Sequence, residues 1–172
     1  MELAALLTLS VLPVLVIVAG LKDLTTMTIP NWISAALLAC FFPAALLVGL
    51  EPLQIAIHVG VAAAALAVGA GMFAMGWLGG GDAKLMASAS LWLGLAGAGQ
   101  FVLWTAMAGG LFSLVLLLVR SRAAGLPALP GAPGWLGRLL QPKGDIPYGV
   151  AIAAGALIAF PGSAMVAAFA AA

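Results

Sequence analysis

Charge is what this sequence has least of. Its 172 residues hold six Lys and Arg and five Asp and Glu, 6% in all, where a soluble domain carries about a quarter. So sparse a set cannot cover a solvated surface, and a net charge of +1 excludes the basic face that a nucleic acid requires. Cysteine is nearly absent too. The single Cys40 forms no internal disulfide and no thiolate metal cluster, and a small apolar core residue is the expected role. One histidine, His58, leaves no His-rich ligand set, so no metal and no cofactor are expected. The first residues, Met-Glu-Leu-Ala-Ala, lack the basic segment that opens a secretory signal, so the first apolar run reads as a retained span. No internal repeat is visible.

What remains is apolar: 65% of the residues are hydrophobic. Crossing about 30 Å of hydrocarbon takes roughly 20 such residues in a helix. Runs of this kind fall near 3–21, 32–50, 55–78, 85–99, 101–119 and 148–171, the fourth and fifth sharing a Gly/Ala-rich turn from Gly94 to Gln100. The expected fold is an all-α polytopic membrane protein, one domain over 1–172 with about six transmembrane helices. Alternating the connections puts Lys22, Lys84, Arg120, Arg122, Arg138 and Lys143 on one side, and Glu2, Glu51 and both termini on the other. The excess of Lys and Arg marks the cytoplasmic side, which places both termini outside the cytoplasm and makes 120–147 a cytoplasmic loop. Within that loop GWLGRLL, 134–140, reads either as an interfacial helix with Trp135, Leu136, Leu139 and Leu140 toward lipid and Arg138 toward headgroups, or as a plain linker. Gly60 with Ala64, and Ala65 with Gly69, give the third span small-residue faces for close helix packing. His58 is expected toward the outer end of that span, packed and remote from chemistry.

The other three acids all fall on the charged side, each at the end of a span: Asp23, Asp82 and Asp145. Asp23 could be a solvated interfacial charge, Asp82 the N-cap of the fourth helix, and Asp145 a solvated loop carboxylate beside Lys143. Gly79, Gly80 and Gly81, just before Asp82, exceed what a cap requires, since each costs about 1 kcal/mol inside a helix. Glycines suit a segment that another backbone must approach closely. Two carboxylates brought to one site support a definite chemistry. One ionises and takes a proton from water, while the other keeps its proton and donates it to the attacked carbonyl. No phosphate loop is present, because the glycine run lacks the Gly-Lys-Ser/Thr ending.

GGGDAKL (79–85) resembles the Gly-x-Gly-Asp signature of intramembrane aspartic proteases, with Lys84-Leu85 resembling the type IV prepilin peptidases in particular. DLTTMTIPN (23–31) resembles their first catalytic segment, and DIPYGVAIAAG (145–155) the segment leading into their last span. The resemblance covers the whole chain. It implies an aspartic endopeptidase with Asp23 and Asp82 as the catalytic pair, Gly79 and Gly81 as the motif glycines, and Gly79, Gly80 and Gly81 beside the substrate. Asp145 has no catalytic counterpart in the pattern. Threonines stand between Asp23 and Ile29 where relatives often carry arginine. The Cys-x-x-Cys domain of the bifunctional members is missing, which argues against methyltransferase activity and toward the short form serving Flp/Tad pili. The implied substrate is a pilin precursor with a short basic leader and one hydrophobic helix, cut at the cytoplasmic face of a bacterial inner membrane. The residues also admit a preflagellin-type or other Gly-x-Gly-Asp peptidase, or a small transporter or assembly subunit without protease chemistry. Transporter carboxylates, however, usually sit near the midplane, and these lie at span ends.

Overall fold

A computed structural model describes residues 2–123, 131 and 133–171. All the regular structure among them is helical: α1 (Glu2–Leu9), α2 (Val11–Thr26), α3 (Asn31–Leu47), α4 (Pro52–Ala74), α5 (Gly80–Ala123), α6 (Gly134–Leu139), α7 (Gly149–Ala159) and α8 (Ala164–Ala171), with a 3₁₀ turn Phe160–Gly162 between the last two. Four stretches are long and apolar enough to cross a membrane: Leu3–Thr26, Pro52–Ala74, Gly80–Arg122 and Gly149–Ala171. The helix Asn31–Leu47 is apolar but shorter.

Local chemistry explains most boundaries. Pro13 has no N–H to offer the Leu9 carbonyl, and α1 gives way to α2 just there, at Ser10. Pro30 is extended (φ −63°, ψ 135°) and starts α3. Glu51 and Gln54 form a reciprocal capping box at the head of α4, the Glu51 N–H reaching Gln54 Oε1 at 2.8 Å. This box sets the helix start at Pro52 rather than at the expected 55.

The fourth and fifth expected spans prove to be two arms of α5, joined at Gly94 (φ 59°, ψ −167°). The break therefore falls at the first residue of the expected turn, and the second arm begins well before 101. The first arm lies along α4, with Gly69 close to Ala83 and His58 close to Leu91 and Gly94. The second lies along α7, Gly97 near Ala159 and Gly109 near Tyr148 and Ala151. The second arm thus runs back toward the end at which α7 begins. Gly60, expected in a packing face, has nothing near its Cβ position, whereas Gly69 does pack as expected.

His58 fills the corner. It is 2% exposed and its Nδ1–H donates to the Leu91 carbonyl at 2.6 Å, in the last turn before the break, where carbonyls lose their helical partners. Its ring stacks on Phe41 (centroids 5.5 Å apart), and Phe41 meets Trp92 edge-on at 6.0 Å. The Trp92 indole N–H then donates to the Leu37 carbonyl at 2.9 Å. This cluster, with Ile33 and Leu85, ties α3 and α4 to the first arm of α5. A Cβ at Gly94 would lie 2.5 Å from the His58 ring.

Gly94→Ala should therefore lose stability twice over, through a left-handed backbone and an overpacked ring, by about 2–4 kcal/mol in all. Thermal unfolding in detergent measures this; an unchanged midpoint would mean that the corner does not need its glycine.

Candidate active site

The site is built where three helix ends meet. In α2, Asp23 stands in the last turn, not beyond the helix. The helix closes at Met27, a left-handed residue (φ 56°) whose N–H donates to the Asp23 carbonyl at 2.8 Å. Thr25 and Thr26 return their hydroxyls to the Leu21 and Lys22 carbonyls, each at 2.7 Å. Both are back-bonds to the preceding turn, which keep these two hydroxyls on their own helix.

Asp82 is not an N-cap. The Ala83 N–H donates to the Gly79 carbonyl at 3.1 Å, which makes Gly79 the cap residue and Asp82 the third residue of α5. From there its carboxylate folds back over the start of the helix, and a Cβ on Gly79 would sit 2.9 Å from Asp82 Oδ2. Asp82 Oδ1 is buried and has no hydrogen-bond partner among the described residues. The three glycines have separate surroundings. Gly79 faces the Asp82 carboxylate and lines the cavity described below, Gly80 lies against Phe73, and Gly81 presses on Ile29 of the first motif, with 3.1 Å between its Cβ position and Ile29 Cβ. A second tie between the motifs runs from Lys84 Nζ to Asn31 Oδ1 at 2.9 Å.

The start of α7 supplies the third part. The Gly149 N–H donates to Asp23 Oδ2 at 2.7 Å, and Asp23 is only 6% exposed. A Cβ at Gly149 would come within 2.9 Å of Asp23 Oδ2 and of Ile29 Cδ1. This glycine lies in a motif noted in the sequence, but 126 residues from its partner, and nothing local marks it as a donor.

These ends enclose a cavity of about 360 Å³ lined by Asp23, Asp82 and Asp145 together with Gly79, Trp77 and Tyr148. The two expected catalytic carboxylates thus face one space. Asp145 is exposed, as a solvated loop carboxylate should be, but it lines the same cavity.

The basic residues gather at this end. Lys84 and Asn31 are bonded as above, and Arg138 of α6 donates to the Thr25 carbonyl at 2.8 Å. The 134–140 stretch is thus a helix, but Arg138 turns to protein rather than to headgroups, and Leu139 is buried. Arg120, in the last turn of α5, is also buried; the sequence marked it only as one of the charges that orient the chain. Residues 124–130 and 132 of the expected cytoplasmic loop lie outside the described residues.

Gly149→Ala and Gly79→Ala should each displace one carboxylate and lower turnover by about a hundredfold, the usual effect of a misplacement near 1 Å. Gly71→Ala, whose Cβ would meet nothing within 4 Å, is the control and should keep full activity. Steady-state cleavage assays decide the matter; wild-type turnover in Gly149→Ala would remove the Gly149 amide from the site.

Against known sequences, the profile of the type IV leader peptidase family matches residues 10–114, which include both Asp23 and Asp82. No curated protein and no solved structure matches the chain.

Proposed function

Because the chain belongs to the type IV leader peptidase family, we propose that it is a membrane aspartic endopeptidase that removes the short basic leader of pilin precursors, with Asp23 and Asp82 as its catalytic pair. The observation that carries this reading is the shared cavity: two carboxylates from different helices open onto one space at the charged end of the bundle.

The chemistry follows from the pair. Two carboxylates at one site do not both ionise, so one is a base and the other an acid. The base takes a proton from water as its oxygen attacks the scissile carbonyl carbon, and the acid donates its proton to the carbonyl oxygen. The tetrahedral intermediate then collapses: the C–N bond breaks, the leaving nitrogen gains a proton, and the new carboxyl group stays with the leader. One water is consumed across one peptide bond, without metal or cofactor.

The substrate's apolar helix enters from the bilayer, and its leader lies in the cytoplasm. The acidic cavity suits a basic leader, and Gly79 leaves room for its backbone next to Asp82. On this reading six crossings, two of them the arms of α5, leave both termini on one side. The basic residues of the opposite end make that side the outside, with the cavity at the cytoplasmic face of a bacterial inner membrane. The gathering of Lys84, Arg120 and Arg138 around the cavity end supports this orientation.

Asp23→Asn and Asp82→Asn should each reduce leader removal by about a thousandfold or more while the protein stays inserted, because an amide cannot exchange the proton. Asp145→Asn should keep most activity. Co-expression with a small pilin precursor and inspection for the shortened product is the assay, and near wild-type cleavage by either mutant of the pair would refute the dyad.

The orientation has its own test. In a chain whose Cys40 is replaced by alanine, a cysteine at Glu51 should react with an impermeant thiol reagent from outside the cell, and one at Ser121 should be protected. Both positions are exposed, so access depends on the side of the membrane. The reverse pattern would put the cavity on the wrong side for a cytoplasmic leader.

A further inference from the structure

Arg120 is 4% exposed, and a buried guanidinium is costly unless its donors are satisfied. Here Nε donates to the Leu139 carbonyl, one terminal nitrogen to the Gly144 carbonyl and the other to the Asp145 carbonyl, each at 2.8 Å. All three acceptors are backbone groups in the segment that runs from the end of α6 toward α7. Gly144 leaves room for the guanidinium: a Cβ there would lie 3.3 Å from an Arg120 terminal nitrogen and 3.2 Å from the Arg138 carbonyl. Arg122, two residues on, is exposed, so a basic residue at this helix end does not have to turn inward.

The segment that Arg120 grips ends at the catalytic pair. Asp145, Ile146, Pro147 and Tyr148 line the cavity, Pro147 has a fixed φ, and Tyr148 is followed by Gly149, whose N–H holds Asp23. We propose that Arg120 is a positioning residue for Asp23: by fixing the Leu139, Gly144 and Asp145 carbonyls it sets where the Gly149 amide sits, and so how the Asp23 carboxylate is aimed. A lysine cannot replace it, because one ammonium group is a point donor and cannot span acceptors that a planar fork reaches together. The catalytic consequence rests on the aspartic peptidase reading above; the grip on the segment does not.

The test uses the full chain in detergent micelles. Its probe is a synthetic peptide with a short lysine-rich leader, a glycine at the junction and an apolar helix of about 20 residues. Arg120→Lys and Arg120→Gln should lower kcat about tenfold or more while KM changes less than about twofold, because the leader contacts are kept and the aim of Asp23 is lost. Amide hydrogen exchange should accelerate at Gly149 in both variants, and Arg122→Gln should match wild type in both readouts. Guanidinium ion supplied to Arg120→Ala should recover part of the lost turnover, since it offers the same fork. Wild-type kcat together with wild-type Gly149 exchange in Arg120→Lys would overturn the proposal. If Arg120→Gln does not fold, Arg120→Lys decides. If wild type itself fails to cut the probe, the peptidase reading is at fault, and Gly149 exchange still tests the grip.

Discussion

The hydrogen bond from the Gly149 amide to the Asp23 carboxylate joins the end of α2 to the start of α7, and the rest of the site is arranged around it. A carboxylate buried to this extent needs a donor, and a backbone N–H at a helix start is an available one. Choosing a backbone donor has a consequence. The amide can reach Asp23 only if α7 comes very near α2, which bars any side chain at residue 149 and favours small residues along the contact. Gly20 faces Ala153 with 3.2 Å between its Cβ position and the alanine methyl. Further along, α7 meets the second arm of α5 at Gly155, where a Cβ would lie 2.7 Å from the Thr105 amide nitrogen. In lipid, where apolar surface gives helices little reason to associate, approach of this kind is the main source of packing energy.

Asp82 is placed by a different device. Its helix must begin at the cavity and leave it directly, and α5 then has to return to the same end so that Arg120 can meet the segment before α7. The corner at Gly94 allows the return. His58 supplies a donor to a carbonyl near the break, and the aromatic cluster behind it holds the first arm against α3. A histidine remote from the cavity thus serves the site through chain direction alone.

Much of this was legible in the sequence because membrane solvation is so restrictive. Apolar runs fixed where helices lie, and the acids stood out because a carboxylate near lipid calls for a reason. The two motif aspartates do face one cavity. The corner was less legible: Gly94, Gly97 and Gly99 all fit a turn by composition, and only the proximity of the His58 ring selects Gly94. A cap role for Asp82 stayed open because it precedes an apolar run, but the first helical hydrogen bond goes to Gly79, three residues earlier. The Gly149 donor and the Arg120 grip were not legible. Both act through backbone groups, and a backbone amide or carbonyl leaves no trace in residue identity.

That difference bears on what the glycines of the Gly-x-Gly-Asp stretch do. Read as a flexible run, they would be interchangeable, each adding freedom to one segment. In the fold they are not. Gly79 permits the Asp82 carboxylate to fold back over its own helix start, Gly80 has ordinary contact distance to Phe73, and Gly81 lets the second motif press on Ile29 of the first. With the Lys84–Asn31 hydrogen bond beside it, the Gly81–Ile29 contact keeps the Asp82 helix in register with the chain just after Asp23. Ile29 also touches the Cβ position of Gly149, so one side chain is wedged between the element that carries Asp82 and the amide that holds Asp23. Close packing around one isoleucine, rather than freedom in either segment, is what these two glycines permit.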